Sequence, residues 1–346
     1  MSPDQQQMSS NTEGDLGACE SGPSLESVLA LRVEHRLQEN VIAFKFGGSS
    51  LLGADRLLHA AQLVHKESQT RPVVAVVSAM KGVTDRLLRV GELLGEGRNL
   101  HARREAASIA EQHQATLEDL RLDTEEQARL EQDLDLLTED LLHETPFGGR
   151  VETNGATLDR LASFGERYAA RLLAAALSKI GAGAVPVASS DFLLTCDNFR
   201  EAKPNLEHTR RRGREILLPL LEAGIVPVVT GFIGATQDGR ITTLGRNSSD
   251  FSGALIAHIV DAVELVIWTD VDGIFTANPH ESAEAKLLQE LSYDEALALA
   301  ASGAKVLHPH VLPLAAQTEM TVWVKNTFKP QGRGTRIGAK GTGGWE

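Results

Sequence analysis

A lysine, two glycines and two serines follow one another in KFGGSS at 45–50, directly after the apolar run VIAF at 41–44. Glycines let backbone N–H groups approach an anion, a following helix aims its N-terminus at the same point, and a lysine adds a mobile positive charge. Phosphate binding is one reading, and a plain strand-to-helix turn is the other. The hexapeptide is no Walker A loop, because its lysine precedes the glycines, and no GxGxxG dinucleotide fingerprint occurs there.

Four more turns with glycine, hydroxyl or charged groups end apolar runs: SAMKGVTD (78–85), TGFIG (230–234), LGRNSSD (244–250) and TDVDGIFT (269–276). Ligands of parallel α/β sheets bind beyond the C-terminal ends of strands. Several such turns in one chain therefore point to a polyanionic ligand. In LGRNSSD, Ser248 and Ser249 are candidate helix caps, and Arg246 offers a bidentate guanidinium to a carboxylate. TDVDG invites an EF-hand reading through Asp270, Asp272 and Glu281, which fails because Phe275 stands where glycine is required. HPH at 308–310 reads as structural. The local reading of FGER at 164–167 is a surface charge pair.

The elements that position these turns follow from periodicity. Continuous apolar runs at 41–46, 72–79, 184–189, 225–232, 265–270 and 321–326 read as strands buried on both faces of a mainly parallel sheet. Helical patterns run over 51–68, 84–97, 158–181, 205–223, 249–262 and 292–317. The alternation predicts a three-layer αβα sandwich. Residues 99–144 lack a strand signal and read as a helical insertion, while 24–37 has the spacing of a peripheral helix on an otherwise polar N-terminal tail.

Composition narrows the function classes. The net charge of −13 and an aromatic content of 4% argue against nucleic-acid or anionic-membrane partners. Two cysteines, Cys19 and Cys196, without CxxC spacing argue against a disulfide framework or a zinc site and fit a cytoplasmic protein. The first residues have no apolar core and no basic start, so no signal peptide is expected, and no apolar run of 18 residues occurs.

In order and spacing, these stretches resemble the aspartate kinases of the amino-acid kinase family. The resemblance runs from about Val41 to Ile337 through KFGGSS, SAMKGVTD, SFGER, LGRNSSD, WTDVDGIFTANP and GAKVLHP. It implies a two-lobed amino-acid kinase fold with an eight-stranded, mostly parallel sheet. The implied reaction is transfer of the ATP γ-phosphoryl group to the β-carboxylate of L-aspartate. Lys45 and Asp250 would be catalytic. Ser78, Thr84, Glu166, Phe232, Arg246 and Ser249 would bind the amino acid. Lys45, Gly47, Gly48, Ser49, Thr269, Asp270, Phe275 and Lys305 would bind nucleotide, with magnesium held mainly by phosphate oxygens and no dedicated metal ligands.

The expected organisation is a tail at 1–40 and a kinase domain at 41–338. Its N-lobe, at about 41–235, carries the insertion at 99–144 and the amino acid, and its C-lobe, at about 236–338, carries the nucleotide. A short C-terminal tail at 339–346 without an ACT domain is expected. L-Aspartate and ATP are the expected partners, a homo-oligomer is left open, and aspartate-family amino-acid biosynthesis is the implied role. Three positions depart from the family pattern: Ser248 for glycine, Asp85 for asparagine and His280 for arginine. Ser248 and Asp85 keep open a kinase for another small acid, and the alternative of another class is a non-catalytic amino-acid or nucleotide sensor, against which Lys45 and Asp250 speak.

Overall fold

The computed structural model describes residues 40–246, 248–277, 282, 284–301 and 307–339. The expected helix at 24–37, Cys19, Asn247, His280, Lys305 and the segment from 340 lie outside the described residues.

Twelve strands and nine α-helices are described. The strands are β1 Ile42–Phe46, β2 Val73–Val77, β3 Ala184–Val187, β4 Val226–Thr230, β5 Ile233–Ala235, β6 Ile241–Thr243, β7 Glu264–Thr269, β8 Ile274–Phe275, β9 Leu287–Leu288, β10 Glu290–Ser292, β11 Thr321–Asn326 and β12 Thr335–Gly338. The helices are α1 Ala54–Ser68, α2 Val83–Gly95, α3 Asn99–Leu120, α4 Thr124–His143, α5 Gly155–Lys179, α6 Leu206–Glu222, α7 Ser249–Ile259, α8 Tyr293–Ala301 and α9 Val311–Gln317. Asp123, Asn154 and Asn205 cap α4, α5 and α6, each accepting a backbone N–H of the first turn with its side-chain oxygen.

Eight strands form one sheet in the order β10-β12-β11-β7-β1-β2-β4-β3. Every neighbour pair is parallel except β11 with β12. The expected mainly parallel αβα sandwich is present. Its two faces divide the apolar residues of each strand by alternation. Ile42, Phe44 and Phe46 join the core under α1 and α5, whereas Val41 and Ala43 join the core under α6 and α7. Lys45 has the parity of Ala43 and so projects toward α7.

Two expectations need correction. The helical pattern at 292–317 is two helices, α8 and α9, not one. Pro309 precedes α9, where a fixed φ and a missing N–H cannot continue a helix. Strands β10 and β12, which complete the eight, escaped the sequence reading because ELS and TRIG are short, partly polar runs at the sheet margin. Among the described residues no helix is long and apolar enough to cross a membrane.

Candidate active site

Lys45 is the penultimate residue of the central strand, with Val76 of β2 and Ile267 of β7 as its lateral partners. Its side chain is 7% exposed, and Nζ lies 2.7 Å from Oδ1 of Asp250 in the first turn of α7. One helical turn on, Gly253 gives the lysine stem room, because a Cβ there would sit 3.0 Å from the Lys45 Cβ. The pairing of a strand-end ammonium with a helix-start carboxylate thus depends on a glycine that lets α7 approach the sheet.

Beyond this pair the turns close a cleft of about 340 Å³. It is lined by Lys45, Gly47, Gly48, Ser78, Thr84, Glu166, Phe232, Arg246 and Ser249, all singled out in the sequence. Gly48 is obligatory. A Cβ would fall 2.5 Å from the Ala79 carbonyl oxygen and 2.9 Å from the Lys81 nitrogen, where Lys81 N–H donates to the Gly48 carbonyl at 3.1 Å. Gly165 of α5 meets the same loop from the other side, since its Cβ would lie 2.5 Å from the Ala79 Cβ. Two glycines therefore clamp the 78–85 turn between β1 and α5.

This clamp accounts for Glu166, which the local reading of FGER put on the surface. Its side chain is buried, and Oε1 accepts the Ala79 N–H at 3.0 Å. Oε2 is buried with no hydrogen-bond partner. Burial pushes the Glu166 carboxyl up to about 8, against the Ala79 hydrogen bond and the Lys45 charge that favour ionisation. The neighbouring Arg167 turns outward to Asp140 at 3.2 Å. Two hydroxyls at the cleft, Ser78 Oγ and Ser248 Oγ, are likewise buried without partners. Unsatisfied polar atoms gathered at one cleft point to a polar ligand that completes them. Ser248 stands at the N-cap of α7 but makes no side-chain capping bond.

The opposite wall is less enclosed. Arg246 is 73% exposed and lies 3.6 Å from Oδ1 of Asp85, itself 78% exposed. The acidic departure at 85 thus meets the arginine expected to receive a carboxylate. Phe232 adopts φ 67°, and its N–H donates to Ser252 Oγ at 2.7 Å, which ties the 230–234 turn to α7.

The expected nucleotide residues are not all gathered here. Ser49, Thr269, Asp270 and Phe275 do not line this cleft. Thr269 ends β7 beside β1, and Asp270 follows it on the surface, 3.4 Å from the Thr269 hydroxyl. Lys305 lies outside the described residues. Conversely, Lys81, Arg200 and Thr243 line the cleft without having been singled out. Lys81 lies within SAMKGVTD, so its place was legible, whereas nothing local marks Arg200 or Thr243.

A larger groove of about 860 Å³ lies between α5, β3 and the β5–β6 turn. Its guanidiniums are already engaged. Arg160 pairs with Glu144 at 2.8 Å, Arg171 with Asp133 at 2.8 Å and Arg240 with Asp238 at 2.7 Å.

Comparison with known proteins shows what the chain as a whole is similar to. Residues 40–326 match the model of the amino acid kinase family. The chain is 33% identical over 300 residues to lysine-sensitive aspartokinase 3 of Escherichia coli (strain K12), covering 86% of this chain and 64% of that protein. It is 35% identical over 298 residues to the chloroplastic aspartokinase 3 of Arabidopsis thaliana, covering 85% of this chain and 52% of that protein. In structure it is similar to E. coli aspartokinase III in complex with aspartate and ADP, with a TM-score of 0.79, 31% identity, and coverage of 87% of this chain and 65% of that one. The chain thus spans less than two thirds of the length of these relatives.

Proposed function

This chain belongs to the amino acid kinase family, and on that premise we propose that it is an aspartate kinase. It would transfer the γ-phosphoryl group of ATP to the β-carboxylate of L-aspartate, giving 4-phospho-L-aspartate and ADP. One observation carries the reading. Lys45, held by Asp250 of α7, lines a cleft beyond the central strand that Glu166 also lines, with its Oε2 buried and unpartnered. A phosphoryl-facing cation and a carboxylate waiting for a cation suit an acceptor bearing both a carboxylate and an ammonium.

The chemistry brings two anions together, so positioning and charge stabilisation carry most of the rate. Lys45 meets the transferring phosphoryl group, and Asp250 holds its ammonium in place. Glu166 takes the acceptor ammonium and Arg246 its α-carboxylate. Ser78, Thr84, Phe232 and Ser249 complete the acceptor pocket. Backbone donors at Gly48 and Ser49 meet the phosphates, Gly47 contributes room rather than a donor because its N–H is given to the Trp268 carbonyl oxygen at 3.0 Å, and Thr269, Asp270, Phe275 and Lys305 hold the nucleotide.

The donor set suits a hard cation carried on phosphate oxygens. Asp270 offers one exposed carboxylate, and the described residues contain no cluster of three His, Cys, Asp or Glu. Magnesium bound with ATP would neutralise phosphate charge there. The proposed setting is the cytoplasm, at the head of lysine, threonine and methionine synthesis, with the acceptor held mainly by residues 41–235 and the nucleotide mainly by residues 236–338.

A second reading, an acceptor other than aspartate, has the Asp85–Arg246 pair in its favour. ADP release measured with aspartate, glutamate and N-acetylglutamate separates the two. Aspartate should give the fastest release. Faster release with another acid, or none with any, would overturn the assignment.

A further inference from the structure

Arg200 stands in a conformation that an L side chain resists. Its φ is 75°, in the left-handed region where glycine is at ease. The strain is held by Asp159 of α5, which is fully buried. Oδ2 of Asp159 accepts the Arg200 N–H at 2.8 Å and the Thr243 N–H at 2.9 Å, and Oδ1 accepts the Thr243 hydroxyl at 2.7 Å. Oδ1 also lies 3.6 Å from the Arg200 Nε. One buried carboxylate thus fastens the loop carrying Arg200 to the end of β6, and both Arg200 and Thr243 line the acceptor cleft. Backbone strain that the surroundings overdetermine, at a cleft, is a mark of function.

The two arginines of the cleft differ in how free they are to take a carboxylate. Arg246 is largely exposed and faces Asp85, whose charge repels an anionic ligand group and competes for the guanidinium. Arg200 is only 35% exposed, so its charge is screened less by solvent. Its one carboxylate neighbour among the described residues is Asp159, whose oxygens already accept three other hydrogen bonds.

We propose that Arg200 is a carboxylate-binding residue of the acceptor pocket, held by Asp159, and that it shares with Arg246 the recognition of the acceptor's non-reacting carboxylate. The proposal rests on the amino-acid acceptor assigned above. Arg200 does no chemistry and touches no transferring group, so its removal should act on acceptor affinity and selectivity.

The test compares the unmutated protein with Arg200→Gly and Arg200→Lys by calorimetric titration. The probes are L-aspartate and β-alanine, which keeps the ammonium and the reacting carboxylate but lacks the other. Glycine relieves the backbone, so Arg200→Gly should fold with an unchanged or higher Tm. Its affinity for L-aspartate should fall roughly tenfold or more, the scale of one lost charge-assisted contact, while that for β-alanine stays the same. Arg200→Lys should retain part of the aspartate affinity. L-Aspartate affinity within about twofold of the unmutated protein, or an equal loss for both probes, would overturn the proposal, since a purely structural role weakens both. The kinase reading fails separately: an unmutated protein that binds L-aspartate but forms no ADP from ATP sinks that reading and leaves the Arg200 comparison decisive. Failure to bind L-aspartate at all overturns both.

Discussion

The Ala79 N–H donates to Oε1 of Glu166 across 3.0 Å, and that contact places a carboxylate in the cleft with its second oxygen unsatisfied. Glu166 and Ala79 meet because Gly165 and Gly48 remove the side chains that would hold α5 and β1 away from the 78–85 turn.

If Glu166 takes the acceptor ammonium as proposed, its raised carboxyl should make binding pH-dependent. With its carboxyl at about 8, Glu166 is mostly protonated in the free site at pH 7, yet an ammonium ligand needs it ionised. Binding must therefore release a proton below that value. The KM for aspartate should fall as pH rises from about 6 to 8, by up to roughly tenfold per pH unit, and then level off. Glu166→Gln should raise KM and flatten the profile. A glutamine variant that keeps the unmutated slope would show that another group titrates.

Lys45→Ala should cut turnover severely and leave the fold intact. The charge lost is the one nearest the proposed site of phosphoryl transfer, and removing a preorganised electrostatic donor costs on the order of a hundred- to a thousandfold in kcat. Asp250 is 23% exposed and can be hydrated once unpaired, so circular dichroism should be unchanged. Activity near that of the unmutated protein in a folded variant would remove Lys45 from the mechanism.

Gly48→Ala tests the clamp. The added Cβ meets backbone atoms of Ala79 and Lys81, which cannot rotate away as a side-chain tip would. The turn must shift, and a displacement near 1 Å in the site costs about a hundredfold in kcat/KM. Wild-type kinetics in this variant would mean that the turn yields without disturbing Lys45 or Glu166.

His113 should make the protein sensitive to acid. It is fully buried on α3, stacked on Tyr168 at 4.4 Å, with Nδ1 2.7 Å from the Ile109 carbonyl oxygen. Burial lowers its pKa from 6.5 to about 4, opposed by the Ile109 hydrogen bond. The unfolded chain then binds the proton more readily. The stability it contributes is full above pH 6.5 and declines as pH falls toward 4, by about 3 kcal/mol at most. Urea midpoints measured from pH 7 to 4 should fall less steeply for His113→Phe, which keeps the ring stack. Equal slopes would place the acid sensitivity elsewhere.

Much of the site could be read from the sequence because its parts are local. KFGGSS, SAMKGVTD and LGRNSSD each follow an apolar run, and a parallel sheet delivers the ends of its strands to one edge whatever the loops contain. Lys45 and the glycines beside it could thus be picked out from type and spacing, as could the alternation of strands and helices, whereas Asp250 came from the family resemblance. Tertiary structure decided which polar groups are buried and whom they meet. FGER reads locally as a surface charge pair, yet Glu166 and Arg167 face opposite ways because Glu166 lies against Ala79, 87 residues away. Asp159 and Thr243 are separated by 84 residues, so the hold on Arg200 leaves no periodic trace in the chain. Asp85 and Arg246 were both visible as residues, but only the approach of α2 to the 244–250 turn made them a pair. Propensity and alternation are properties of neighbours in sequence, whereas burial, strain and the choice of ionic partner arise between segments that only the folded sheet brings together.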